Sequence, residues 1–336
     1  MTCKLQLRRA AVVLPVILLC AIAGCGRRRT AAAAPAGTIE TTPRAPDARP
    51  DIPPPTRRRE VAILFKNAAG YTEVVAQLAK LLPVETYRLT VVDVDAENSR
   101  TILDSLQAKP GLLAVAISLP AARIARDQLN VPMVFAQVFN YQELLVNGRA
   151  VRGVTAMPPL DLQLQDWKKL DPKVRRVGLI LSQPHVDLIP EAERAVNEAA
   201  ISLKYEISDS DRQTLYLFKR LAPQIDGLWL LPDDRILSPT VLRELLSYAV
   251  SHGVRVCVFS DELLQWGALM SASPTPEDIA RTVHRVLDDM IADRTNALPP
   301  LSSLSELVVR INGQVAGRLG VSFPPSGSWV VRGERR

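Results

Sequence analysis

Residues Gly111–Tyr141, GLLAVAISLPAARIARDQLNVPMVFAQVFNY, decide the fold of this 336-residue chain. Leu112 to Ile117 is nearly all apolar, which predicts a short parallel strand buried on both faces. Ser118 ends that run, and Ser118-Leu119-Pro120-Ala121 couples a capping hydroxyl to a proline in the first helical turn, where a missing N–H costs nothing. The stretch therefore reads strand, tight turn, short helix, strand. A helix start at the carboxyl end of a central strand lies on the edge where open α/β sheets bind ligands, and its free N–H groups favour a carboxylate or phosphate. The other reading of Ser118 is that it only caps its own helix.

Working outward, the alternation continues on both sides. Val61–Phe65 and Tyr87–Asp93 read as strands, with Tyr71–Leu82 and Asn98–Ala108 as helices around them. After the opening stretch, Val151–Leu170 reads as a strand-like run, a break at Pro158-Pro159 and a helix. The second half repeats the pattern, with strands at Arg176–Leu181, Tyr205–Ile207, Asp226–Leu231 and Val254–Phe259. Its helices are Glu191–Leu203, Asp211–Leu221 and Pro239–Ser251. Such alternation predicts parallel, doubly wound sheets with right-handed crossovers. About 270 residues of it exceed one compact core and predict two lobes. Crossings between them are expected near Pro158, over Gly267–Ala272 before a long helix at Pro276–Ile291, and near Pro299-Pro300 before a last strand at Leu307–Ile311. Lobe 1 is then residues 60–157 with 272–298, lobe 2 is 158–271 with 299–331, and three crossings form a hinge.

The amino end is of another kind. Lys4, Arg8 and Arg9 precede an apolar run, Ala10–Ala23, that is too short to span a bilayer stably. Residues 1–24 read as a signal peptide. Residues 25–59 carry seven prolines and almost no large apolar side chain, so a disordered, semi-extended tether is expected. Of the net charge of +6, residues 1–24 hold +3 and residues 25–59 hold +5, which leaves −2 for residues 60–336. A nucleic-acid partner is not indicated by a slightly acidic folded part. Cysteines stand at 3, 20, 25 and 257. Cys257, in the apolar run Val254–Phe259, reads as a small buried hydrophobe.

Two resemblances sharpen this reading. Ile22-Ala23-Gly24-Cys25 resembles the bacterial lipobox, which implies lipidation of Cys25 and cleavage after Gly24, and hence a lipid-anchored protein on the periplasmic side of the cell envelope. Gly26 is not the aspartate that holds many Gram-negative lipoproteins at the inner membrane, so inner and outer membranes both stay open. The folded part, from about Glu60 to Pro325, resembles the ABC-transporter substrate-binding lipoproteins of the tryptophan/tyrosine type, with a type I periplasmic binding protein fold. The likeness is carried by Ser118-Leu119-Pro120-Ala121-Ala122 before Val131-Pro132-Met133-Val134-Phe135-Ala136, by Arg152-Gly153-Val154, and by Leu170-Asp171-Pro172-Lys173-Val174-Arg175-Arg176-Val177-Gly178. Leu231-Pro232-Asp233-Asp234, Gly267-Ala268-Leu269 and Val308-Val309-Arg310-Ile311-Asn312 complete it.

That resemblance implies a receptor closing on a small solute, an amino acid or a related small carboxylate, and delivering it to an ABC permease. It places Ser118, with its hydroxyl and the amide of Leu119, against a ligand carboxylate, and adds Gln137, Asn140 and Arg152 from lobe 1. Asp234 is suited to a ligand ammonium from lobe 2, beside Gln183, Ser260 and Asp261. The chain departs from the family at Asn140-Tyr141, where Asp-Pro is usual, and at Arg152, where threonine is usual. A cation at Arg152 pulls the expected solute toward acidity. These departures also fit a receptor-fold lipoprotein that serves as a sensory or assembly partner without transport. No cofactor or metal is expected, and the absence of catalytic motifs argues against an enzyme. His185, His252 and His284 have no evident partners in the sequence; satisfied or solvated side chains are the expectation for all three.

Overall fold

The computed structural model describes residues 58–145 and 150–333, with Asn296 described by its backbone alone. The segments read from the sequence as signal peptide, lipidated Cys25 and nearly all of a tether lie outside the described residues. Among the described residues thirteen strands form two sheets. The first contains β1 (Arg59–Phe65), β2 (Tyr87–Asp93), β3 (Leu113–Ile117), β4 (Met133–Ala136), β5 (Val151–Val154) and β11 (Leu301–Ser302), in the order β11-β5-β4-β3-β1-β2. The second contains β6 (Arg176–Ser182), β7 (Ser202–Ser208), β8 (Gly227–Trp229), β9 (Arg255–Val258), β10 (Met270–Ser273), β12 (Glu306–Ile311) and β13 (Ser328–Arg332). Its order is β13-β12-β10-β9-β8-β6-β7. All pairings are parallel except β10 with β12 and β12 with β13. This is the α/β architecture that the alternation predicts.

Both faces of each sheet are covered. Helices α1 (Ala69–Leu81), α2 (Ser99–Gln107) and α3 (Leu119–Ile124) flank the first sheet, and α4 (Leu160–Leu170), α5 (Ile189–Glu198), α6 (Asp211–Leu221) and α7 (Pro239–Ser251) flank the second. The long helix α8 (Pro276–Ile291) packs back on the first sheet beside α1, and α9 (Gly313–Leu319) packs on the second. Ala114 to Ile117 of β3 have no exposed surface, as a strand buried on both faces requires. Full burial of a side chain such as Ile117 contributes about 1.5–3 kcal/mol. Gly153 of β5 has to be glycine, because a Cβ there would lie 2.3 Å from the Phe135 ring on β4. Among the described residues no helix is long and apolar enough to cross a membrane.

The chain passes between the sheets three times, at places set by strand pairing. The first passage lies between Val154 and Leu160, around Pro158. The second lies after Ser273, not over Gly267–Ala272: Gly267, at φ 114°, ends a short 3-10 turn, and Met270–Ser273 then pairs with β9 and β12. The third lies between Ser302 and Glu306 rather than at Pro299-Pro300, since Leu301 and Ser302 still pair with Gly153 and Val154. Hydrogen bonds lace the passages together. Thr155 donates its N–H to Ser302 O at 3.0 Å, and its hydroxyl accepts from Leu304 N at 3.2 Å. Asp278, in the first turn of α8, accepts from Ser305 N, Ser305 Oγ and Glu306 N at 2.7, 2.9 and 2.9 Å.

Candidate ligand-binding cleft

The carboxyl ends of β3 and β4 are neighbours, with Ile117 paired to Ala136, and each strand is followed by a non-glycine residue at positive φ. Ser118 has φ 105° and Gln137 has φ 55°. Such strain costs on the order of 1–3 kcal/mol per residue and clusters at ligand sites. At Ser118 the turn folds the side chain inward: the residue is fully buried, and its hydroxyl accepts from Ala121 N at 3.4 Å. The hydroxyl is thus a cap rather than a group offered to a ligand carboxylate. The helix it starts, α3, is six residues long.

Beyond these turns, between the ends of the two sheets, lies a cavity of about 650 Å³. Leu119, Gln137 and Asn140 line it from the first sheet's side, and Asp234, Ser260 and Asp261 line it from the second. Tyr71, Phe139 and Phe259 add aromatic surface. Six of the nine sequence-derived ligand residues therefore meet in one place, while Ser118, Arg152 and Gln183 do not line it. Arg152 is corrected outright. Its guanidinium donates to Thr295 O at 2.6 and 3.2 Å and to Val151 O at 2.8 Å, so the cation satisfies backbone carbonyls and does not bias the cleft toward acidic solutes. Gln183 is exposed at the start of a 3-10 turn.

Asp261 is corrected in a different sense. It does line the cavity, but its carboxylate accepts from Ser271 Oγ at 2.5 Å, Ser273 Oγ at 3.2 Å and the Arg310 guanidinium, which leaves it already neutralised within its own sheet. Among the described residues no cation forms an ion pair with Asp234, although Arg235 shares the Asn140 side chain with it. Asp234 accepts the side-chain amide of Asn140 from the opposite side of the cavity, and Tyr71 and Arg123 also feel its charge. Burial first, and then Asp234, raises the Tyr71 hydroxyl above its ordinary pKa. Asp233 is the structural member of the pair: it is buried and accepts from Ser182 N at 3.1 Å and Arg235 N at 3.3 Å.

Behind the lining, His185, which the sequence reading expected to be satisfied or solvated, is satisfied and helps to hold Asn140. His185, 1% exposed, points Nε2 at Asn140 Oδ1 at 2.7 Å, while its Nδ1 lies 3.2 Å from Gln142 Nε2. Gln142 Nε2 also donates to Pro184 O at 3.0 Å. An amide N–H facing Nδ1 assigns the proton of the neutral ring to Nε2, which donates to Asn140; Arg235 Nη1, 3.4 Å from the same Nε2, gives its shorter bond to the Asn140 oxygen instead. Phe139 stacks on the imidazole at 4.1 Å, and Arg235 Nη1 donates to the same Asn140 oxygen at 2.6 Å. The sequence signal was positional: Gln183-Pro184-His185 directly follows β6, and Asp233-Asp234-Arg235 comes a few residues after β8, both at the ligand-binding edge of a parallel sheet.

Two α/β sheets joined by three passages around a cavity at their carboxyl edges define the type I periplasmic binding protein fold. No family model and no curated protein matches the sequence. Among solved structures, a substrate-binding protein with adhesive properties from Clostridium difficile, in a ligand-free open form, matches with TM-score 0.58 and 16% identity. A Streptococcus pneumonia ABC domain in complex with L-Trp matches with TM-score 0.55 and 19% identity, and a conserved domain protein from Vibrio cholerae with TM-score 0.55 and 15% identity. Each comparison covers 80% of this chain and 96–97% of the other. At such identities the likeness is one of fold. The first of these neighbours is described as a substrate-binding protein and the second as a complex with L-Trp.

Proposed function

We propose that the chain is an envelope-anchored solute-binding lipoprotein of the tryptophan/tyrosine type, held on the periplasmic side by lipid on Cys25. It closes on a small solute, an amino acid or a related small carboxylate, and delivers it to an ABC permease. The observation that carries the reading is the cavity of about 650 Å³ between two hinged sheets, lined from both sides by polar groups and aromatic rings. That volume lies within the range of about 300–1,000 Å³ usual for small-molecule sites. The division into lobe 1 (60–157 with 272–298) and lobe 2 (158–271 with 299–331) belongs to the same proposal, with its second and third boundaries moved to the passages after Ser273 and Ser302.

The test is a thermal-melting screen of protein freed of carried-over solute. A ligand at about 100 times its dissociation constant stabilises the folded state by about 2.7 kcal/mol, a shift that melting resolves. A second reading, a receptor-fold lipoprotein acting as a sensory or assembly partner, draws support from the Asn140–Asp234 contact, which links the two sides through the chain's own side chains. A broad panel that leaves the melting transition unmoved favours this second reading.

A further inference from the structure

The solute's charge follows from which cavity groups remain without a counter-charge. Glu73, Asp234, Asp261 and Glu262 line the cavity with negative charge, and Arg123 and Arg310 with positive. Both arginines are already engaged: Arg310 with Asp261, and Arg123 with Glu143, whose carboxylate lies 2.6 Å away. Among the described residues no cation forms an ion pair with Glu73, Asp234 or Glu262. Just outside the lining, Arg235, whose Nη1 donates to Asn140 Oδ1 at 2.6 Å, is one further positive charge to set against these three carboxylates. Three exposed carboxylates around one cavity, against a single unpaired guanidinium, raise the local concentration of cations and disfavour anions, an effect that salt screens.

Two further features narrow the chemistry. Gln137 Oε1 has almost no exposed surface and no hydrogen-bond partner, although its residue lines the cavity. A buried acceptor without a donor is costly, and a turn of the half-buried Gln137 side chain toward the cavity would bring this oxygen to a ligand N–H. The rings of Tyr71, Phe139 and Phe259 supply surface over which an ammonium or guanidinium is attracted. Meanwhile the anion-binding feature expected at Ser118 is spent on capping α3.

Building on the solute-binding reading, we infer that the ligand is a small organic cation rich in N–H donors: a basic amino acid, a guanidino compound or a polyamine. Its positive group sits toward Asp234 and Gln137 Oε1, and its apolar body sits between the aromatic rings. Arg152, which sequence alone placed near the cleft, has no part in this selection.

The test is a calorimetric titration of the full-length chain in detergent, after stripping by partial unfolding and refolding. The probes are spermidine, agmatine and L-arginine against L-tryptophan, L-leucine, succinate and ribose. At least one cationic probe binds more tightly than all four others, and its affinity falls as salt rises. Asp234→Asn weakens that probe about 10-fold or more, as expected for a lost hydrogen bond to a charged group. Glu73→Gln, an exposed change that keeps the test alive if the first variant fails to fold, weakens it about two- to fivefold. Glu85→Gln, exposed and outside the cavity lining, leaves it unchanged. Tighter binding of tryptophan, leucine, succinate or ribose than of every cation overturns the inference and leaves the solute-binding reading standing. So does cation binding indifferent to both Asp234→Asn and Glu73→Gln. No binding by any probe overturns the inference and the underlying reading together.

Discussion

Asn140, on the first sheet's side of the cavity, donates its side-chain amide to Asp234 on the second, while its carbonyl oxygen accepts from His185 and Arg235. One buried amide thus joins three groups of the opposite side. Asn140→Ala removes all of these bonds and leaves the His185 N–H without its acceptor. Hydrogen bonds to charged groups contribute about 1.5–3 kcal/mol each, partly screened here because Asp234 and Arg235 are exposed. Urea unfolding of Asn140→Ala is expected to show a loss of about 1–3 kcal/mol, and an unchanged midpoint would count the bridge as energetically idle.

His185 makes this bridge sensitive to pH. Burial holds its pKa below the ordinary value; Asp233, Asp187 and Asp234 pull it up, and Arg235 pushes it down. The unfolded chain, with a histidine pKa of about 6.5, takes up the proton more readily than the folded one. The histidine's contribution is therefore present in full above about pH 6.5 and is lost as pH falls toward the folded pKa. Protonated Nδ1 would also set a proton against the Gln142 N–H. The stability difference between wild type and His185→Gln should shrink from pH 7.5 to pH 5, and a difference that grows on acidification contradicts the neutral assignment.

Gly153 tests the packing of the first sheet. A methyl group there would meet the Phe135 ring at 2.3 and 2.5 Å, so Gly153→Ala forces the ring or the strand to move. Overpacking of this kind costs typically about 1–3 kcal/mol. The double variant Gly153→Ala with Phe135→Leu should recover part of the loss in urea unfolding. Simple additivity of the two single costs would show that the ring is not the obstacle.

Asp278 plays the equivalent part at the passages. It is 2% exposed and accepts three hydrogen bonds from Ser305 and Glu306, besides lying 3.4 Å from Arg281. Asp278→Ala orphans two backbone N–H groups where the chain re-enters the second sheet. A loss of about 2–4 kcal/mol is expected from the orphaned donors together. Faster amide exchange at Ser305 and Glu306 should accompany it, with the core of β3 unaffected.

Elements with local signals were legible in the sequence. Thr275, Pro276, Glu277 and Asp278 mark the start of α8 so clearly that its whole span, Pro276–Ile291, matches the helix read from sequence; Asp211–Leu221 and Pro239–Ser251 match likewise. The helix read to Leu203 in fact stops at Glu198, because Ala200 turns to φ 52° and Ser202 begins β7 as an edge strand beside β6. β13 went unread: it is half-exposed and is specified by antiparallel pairing with β12, a contact that no periodicity announces. The cleft divides in the same way. Strand ends placed Gln137, Asn140, Asp234 and Ser260 at the right edge. Where Arg152, Ser118, His185 and Asp261 point was decided by partners distant in sequence or by cap geometry, namely Thr295 O, Ala121 N, Asn140 and Arg310.

The central claim is that the two sides move about the passages and close on a solute. It is tested most directly by small-angle scattering of the chain without residues 1–53, in wild type and in Asn140→Ala. Removing the built-in bridge frees the lobes to open, and a solute restores the closed form only through its greater affinity for it. The account predicts a larger radius of gyration for Asn140→Ala than for wild type, returning to the wild-type value on saturation with the tightest-binding cation of the panel. Equal radii for the variant with and without that solute, at concentrations where titration shows it bound, would contradict it.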